Sequence, residues 1–136
     1  MKIFIPSVEQ VIETNKFICE ESGNPYLVLD RGKIESALHT AFYPGSYPFS
    51  AGGIAKIAGA LCFYLVQAHA FMDGNKRVGA LVAILFMNEN GFDLKYPGKE
   101  KNGLTGLANI ILKCVSGTIG KEEMMDWFEN HKIKLF

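Results

Sequence analysis

Ten consecutive apolar residues, Val78 to Met87, dominate the hydropathy pattern of this chain. A bilayer-spanning helix needs roughly 20 such residues, so the run is read as a helix buried inside a soluble protein. It extends from about Lys76 to Asn90, is apolar nearly all round, and is therefore expected at the centre of the fold, with Asn90-Gly91 as its C-terminal stop. Such a rod needs apolar partners on several sides. The 136 residues, 49% of them hydrophobic, are enough for one sizeable core, and one domain over residues 1–136 is expected.

Helical spacing recurs along the chain. Ser7 with Gln10 forms a capping-box signal ahead of Val8, Val11, Ile12, Phe17 and Ile18, which predicts a first helix to about Glu21, stopped at Ser22-Gly23-Asn24-Pro25. Tyr26-Leu27-Val28-Leu29 is rich in strand formers and too brief to make a sheet alone, so a hairpin or flap is expected there. Asp30 caps a second helix through Ile34, Ala37, Leu38 and Ala41, ended by the aromatic loop from Pro44 to Phe49, whose rings are read as packing. Ser50 opens a third through Ile54, Ile57, Leu61, Leu65 and Ala68, in which Gly59 lets a neighbour approach closely. After Tyr96-Pro97-Gly98, a fifth helix is expected from about Leu104 to Val115 and a sixth from about Glu122 to Asn130, capped by Thr118. With no βαβ alternation and no internal repeat, the fold class is all-α with a small β-hairpin.

Fourteen basic residues balance fourteen acidic ones, so no bulk positive field exists to hold nucleic acid or an anionic membrane. Any anion site must be local. Cys19, Cys62 and Cys114 are odd in number, far apart and set in apolar stretches, which fits buried reduced thiols better than a disulfide frame or metal knuckle. Met1 to Pro6 lacks the apolar length of a secretory signal, and a cytoplasmic location is expected.

Chemistry concentrates in His69-Ala70-Phe71-Met72-Asp73-Gly74-Asn75-Lys76-Arg77, which joins two apolar helices. A core helix has no use for that mixture. Gly74 and Asn75 stand at a helix entry, where free amides and the positive dipole end attract anions. Lys76 and Arg77 oppose the dipole there unless phosphates arrive to balance them. Asp73 is a hard oxygen ligand beside that cradle, suited to Mg²⁺, and His69 has the ordinary pKa to accept a hydroxyl proton near neutrality. Phe71 and Met72 are read as apolar anchors. His39 and His131 have no such company and are read as surface or packing residues, and the crowded Met124, Met125, Trp127 and Phe128 as core or subunit contact.

These nine residues resemble the signature of the Fic/Doc (Fido) family, His-x-Phe-x-Asp/Glu-Gly/Ala-Asn-x-Arg, carried on a compact helical bundle with a flap. Asn75-Lys76-Arg77 is similar to the death-on-curing (Doc) branch, whose members phosphorylate a protein hydroxyl; adenylylating relatives carry Gly where Lys76 stands and Arg where Ala80 stands. The resemblance implies His69 as general base for a Ser or Thr hydroxyl and Asp73 as Mg²⁺ ligand. It implies Phe71 as anchor, Gly74 and Asn75 as phosphate donors, and Lys76 and Arg77 as neutralising cations. It further implies ATP as co-substrate, and Asn24, Pro25, Tyr26, Leu27 and Val28 as a flap docking the target. An elongation factor such as Tu is the target class it suggests. The inhibitory Ser/Thr-x-x-x-Glu-Gly/Asn pattern is missing from the sequence, so a separate antitoxin is expected as partner. AMP transfer at the same loop, or a non-catalytic nucleotide- or peptide-binding module, are the alternatives.

Overall fold

The computed structural model describes residues 3–43, 53–95 and 105–136. Among these, six helices and a two-stranded sheet follow in the order α1 (Val8–Ser22), α2 (Arg31–Phe42), α3 (Ile54–Ala68), α4 (Asn75–Glu89), β1 (Phe92–Leu94), α5 (Gly106–Val115), α6 (Lys121–Asn130) and β2 (Lys132–Lys134). The Ser50 opening, the loop from Pro44 to Phe49, the turn at Tyr96-Pro97-Gly98 and Leu104 lie outside the described residues.

Local chemistry sets the helix ends. Ser7 and Gln10 close the expected capping box on α1, and Gly23 takes the left-handed conformation (φ 69°) that ends it. Asp30 accepts from the Lys33 amide to open α2, and Thr105 accepts from Ala108 to open α5; caps of this type contribute about 1 kcal/mol each. The cap of α6 is Gly120, not Thr118: the Glu123 carboxylate reaches back to the Gly120 amide at 2.8 Å, and the Thr118 hydroxyl lies against Ser116. A reaching glutamate at the third position fixes the start, so a serine or threonine at the cap is unnecessary.

The central rod is α3 and not α4. It packs against α2, α4, α5 and α6, and its buried residues run from Ile54 to Val66 around most of its circumference. Small residues make this possible. A Cβ added to Gly59 would stand 2.7 Å from Met125 Cα and 2.8 Å from the Met124 carbonyl, so α3 and α6 touch backbone to backbone there. Gly79 plays the same part where α4 meets α3, beside Val66 and the Cys62 carbonyl. The face of α4 with Val78, Val82, Ala83, Phe86 and Met87 is buried, while Leu85 is exposed. One apolar cluster draws on all six helices, with Val11, Ile34, Leu61, Phe86 and Phe128 among the members closed off from water. Each contributes on the order of 2 kcal/mol by burial.

The sheet is an antiparallel pairing of Phe92 with Lys134 and Leu94 with Lys132, well away from the expected hairpin at Tyr26 to Leu29. That segment forms no strand of its own and is tied to the 69–77 loop by one isolated antiparallel bridge between Val28 and Phe71. His39 and His131 are packing residues, as expected: they stack on Tyr43 and Trp127, at 4.8 Å and 4.0 Å between ring centroids. All three cysteines are free and buried. Burial pushes the Cys62 and Cys114 thiols up from their ordinary pKa, which keeps them protonated. No helix among the described residues is long and apolar enough to cross a membrane.

Candidate functional site

Helix α3 ends at His69, which adopts a left-handed backbone (φ 48°, ψ 46°), the one non-glycine residue among those described to do so. Such a conformation costs on the order of 1 kcal/mol in a residue with a Cβ. It turns the chain sharply off the helix axis and leaves the imidazole exposed.

Three sets of bonds then fix the loop. The Leu29 and Asp30 amides both donate to the Ala70 carbonyl, at 2.7 and 3.1 Å, and the Met72 amide donates to the Leu27 carbonyl at 3.0 Å. The Asn75 side chain clasps Phe71 from both ends, accepting from its N–H at 3.1 Å and donating to its carbonyl at 2.9 Å. From beneath, the fully buried Asn15 donates to the Asp73 carbonyl at 2.8 Å. Phe71 plugs the core as expected. Met72 does not: it is 56% exposed, because the antiparallel bridge at Phe71 sends alternate side chains to opposite faces.

Gly74 turns the loop into α4 with φ 82°, and a Cβ there would lie 2.9 Å from the Asn15 amide nitrogen. No side chain caps this helix start. Among the described residues the first amide with a protein acceptor is that of Val78, bonded to the Gly74 carbonyl at 2.8 Å. The N–H groups of Gly74, Asn75, Lys76 and Arg77 therefore remain available, at the end of α4 where the helix dipole is positive.

These amides and the imidazole share one groove of about 360 Å³, lined by Val66, His69, Met72, Asp73, Gly74, Asn75, Lys76, Arg77 and Val115. Arg77 and Asp73 are paired across one turn at 3.2 Å, and Arg77 also reaches the Ser22 hydroxyl. Lys76 carries no ion pair among the described residues and projects, exposed, at the groove mouth. The groove thus holds every member of the 69–77 constellation except Ala70 and Phe71, which are buried in the core.

Two expectations change in detail. The Asn75 side-chain amide is committed to Phe71, so its contribution to an anion is the backbone N–H. Arg77 is already shared with Asp73, which leaves Lys76 as the uncommitted cation. Asn15 had no place in the sequence reading and Ser22 entered it only in the stop of the first helix; both fall on the Val11–Ile18 face, where the wholly buried Asn15 marks a buried bond.

Residues 6–87, which contain α1 to α3, the whole loop and all but the last two residues of α4, match the model of the Fic/DOC family. The chain belongs to the Fic/DOC family. Fic/DOC proteins are Fido-domain transferases that move a nucleotide or phosphate group onto proteins, and that coarse activity comes with membership. The helical build with a minor sheet agrees with it. No curated protein matches the chain.

The groove's donor set suits both phosphate oxygens and a divalent cation. Four free amides suit phosphate oxygens. For Mg²⁺, Asp73 is the carboxylate lining the groove, and the described residues hold no cluster of three or more His, Cys, Asp or Glu side chains. Mg²⁺ is commonly held by one or two carboxylates with substrate phosphates and water, so a single aspartate beside a phosphate cradle is a sufficient protein share.

Proposed function

We propose that this chain is a Doc-like kinase that transfers the γ-phosphate of ATP to a Ser or Thr hydroxyl of a target protein. The observation that carries the reading is the sharing of one groove by the exposed His69 imidazole and four helix-start amides, neither with a partner among the described residues, together with the exposed Lys76, which has no ion pair among them. His69 takes the proton as the target oxygen attacks Pγ, the bond from Pγ to the β,γ-bridging oxygen breaks, and ADP leaves. The Gly74 to Arg77 amides hold the transferring phosphate, and Lys76 neutralises charge gathering on the leaving group. Asp73 would hold a Mg²⁺ ion, which would supply further charge neutralisation when bound, and Arg77, now paired with Asp73, would then be free to face phosphate.

Lys76 favours phosphate over AMP transfer: a long cation at the second residue of α4 fills space and supplies charge where the adenylylating signature has glycine. The extended Asn24, Pro25, Tyr26, Leu27 and Val28 segment supports a flap role. Its inner edge is bonded to the loop at Ala70 and Met72, and the bonding alternation turns the Val28 N–H and C=O outward, toward where a target strand would pair. A translation factor such as elongation factor Tu is the target class we propose. A separate antitoxin is the proposed control and the cytoplasm, where buried thiols stay reduced, the proposed location.

The test is transfer of label to protein from ATP labelled at the γ or the α phosphorus, with Mg²⁺ and cell extract. Label from γ alone supports the kinase. Label from α overturns it in favour of AMP transfer, and label from neither, with the nucleotide bound, in favour of a binding module.

A further inference from the structure

The end of α4 remote from the loop gathers exposed apolar side chains from three parts of the chain. The Asn90 side chain ties down the N-terminal segment, accepting from the Phe4 N–H at 2.9 Å and donating to the Phe4 carbonyl at 3.0 Å. The next residue, Gly91, accepts from the Leu135 amide at 2.9 Å. A Cβ on Gly91 would stand 3.3 Å from the Phe136 ring. Phe4, Leu135 and Phe136 are thus held beside Asn90 and Gly91 with much of their surface in water, Phe136 89% exposed, and Ile5, next to Phe4, and Leu85, a little over one turn before Asn90, are exposed as well, Leu85 43%. Single exposed apolar residues are ordinary; a contiguous group of large ones marks a contact surface.

Charges of both signs stand beside this corner, and three of them have no ion pair among the described residues. Leu85 lies in a groove of about 290 Å³ between α1 and α4 whose lining includes Glu9, already paired with Arg31, and the two further carboxylates Glu13 and Glu89. Neither of these two has an ion pair among the described residues, and neither does the Lys134 ammonium on β2. We propose that this corner is the interface of a symmetric homodimer. In it the basic and apolar 132–136 segment of each copy lies in the acid-rimmed groove of the other, with Lys134 facing Glu89 and Glu13. Such an exchange requires tail and groove to lie near a common two-fold axis. Here Glu89 and Gly91, at the groove's end and the tail's anchor, are separated by one residue. The surface is remote from His69, so this proposal and the transferase reading stand or fall separately.

The test is sedimentation velocity of the full chain over a range of concentrations, with circular dichroism as the check on folding. A reversible monomer–dimer equilibrium is expected. Lys134→Glu should raise the dissociation constant at least about tenfold, and Lys134→Glu combined with Glu89→Lys should restore most of that loss. Leu85→Glu should act in the same direction through the apolar contact. A monomer at every concentration overturns the proposal, as does a dimer indifferent to all these changes or open-ended growth into larger species.

Discussion

Replacing Asn15 by Leu removes one hydrogen bond far from the loop in sequence and should damage the loop more than the fold. Asn15 is wholly buried and donates to the Asp73 carbonyl at 2.8 Å; its other polar contact is a long one from the Cys19 thiol at 3.7 Å. Leu keeps the branched outline with bulkier methyl ends, so no cavity is created; the Asp73 carbonyl keeps only a long contact from the Cys19 thiol at 3.9 Å, and the loss of its short donor costs about 1–3 kcal/mol, with crowding adding to it. For a chain of this size that lowers the melting temperature by roughly 3–12 °C. Asp73 is then free to shift, and because α4 begins two residues later, the free amides move with it. A displacement near 1 Å in such a site costs on the order of 100-fold in rate. The assay pairs thermal melting with label transfer measured well below the melting point. Asn15→Asp adds a signature in pH: burial raises the new carboxyl above its ordinary pKa of about 3.9. Protonated, it can donate to Asp73. Stability then falls as pH climbs from about 4 to the raised native value and is level beyond it, since the folded state holds the extra proton across that window. Unchanged melting and unchanged transfer in Asn15→Leu would refute the claim that this side chain positions the loop.

Three further outcomes are expected. Lys76→Ala should lower label transfer about tenfold or more while leaving the melting temperature within a few degrees, since its exposed ammonium has no ion pair to lose among the described residues; equal transfer would exclude Lys76 from phosphate neutralisation. Gly59→Ala should lower the melting temperature sharply, because its Cβ would meet Met125 Cα at 2.7 Å, and a neutral result would show that α3 and α6 separate easily. All three thiols should resist a thiol-specific disulfide reagent near neutral pH in the native state and react once the chain is unfolded. They are buried, and burial holds Cys62 and Cys114 protonated; rapid native reaction would contradict that packing.

The parts of the site legible in the sequence are those whose determinants are adjacent in the chain. His69 through Arg77 could be read because the loop's chemistry is contiguous and each residue type is costly to explain otherwise. The capping box of α1 and the Asp30 cap were readable for the same reason. What supports the loop was not, since Asn15 meets Asp73 across 58 positions and the Val28–Phe71 bridge depends on how two separate segments pack. Three-residue strands such as β1 and β2 carry too little pattern to announce themselves, and their pairing is set by where α4 and α6 end. The choice of α3 over α4 as central rod turned on volume more than hydropathy: alanines and Gly59 let neighbours close on α3, whereas Leu85 faces water.

The claim beneath all of this is that the free amides opening α4 form a seat for phosphate beside His69. Amide chemical shifts followed during titration with ATP and Mg²⁺ address it directly. The account predicts the largest saturable changes at Gly74, Asn75, Lys76 and Arg77, with the His69 imidazole responding in parallel. Saturation with those four amides unmoved, or changes centred on another part of the chain, would contradict it.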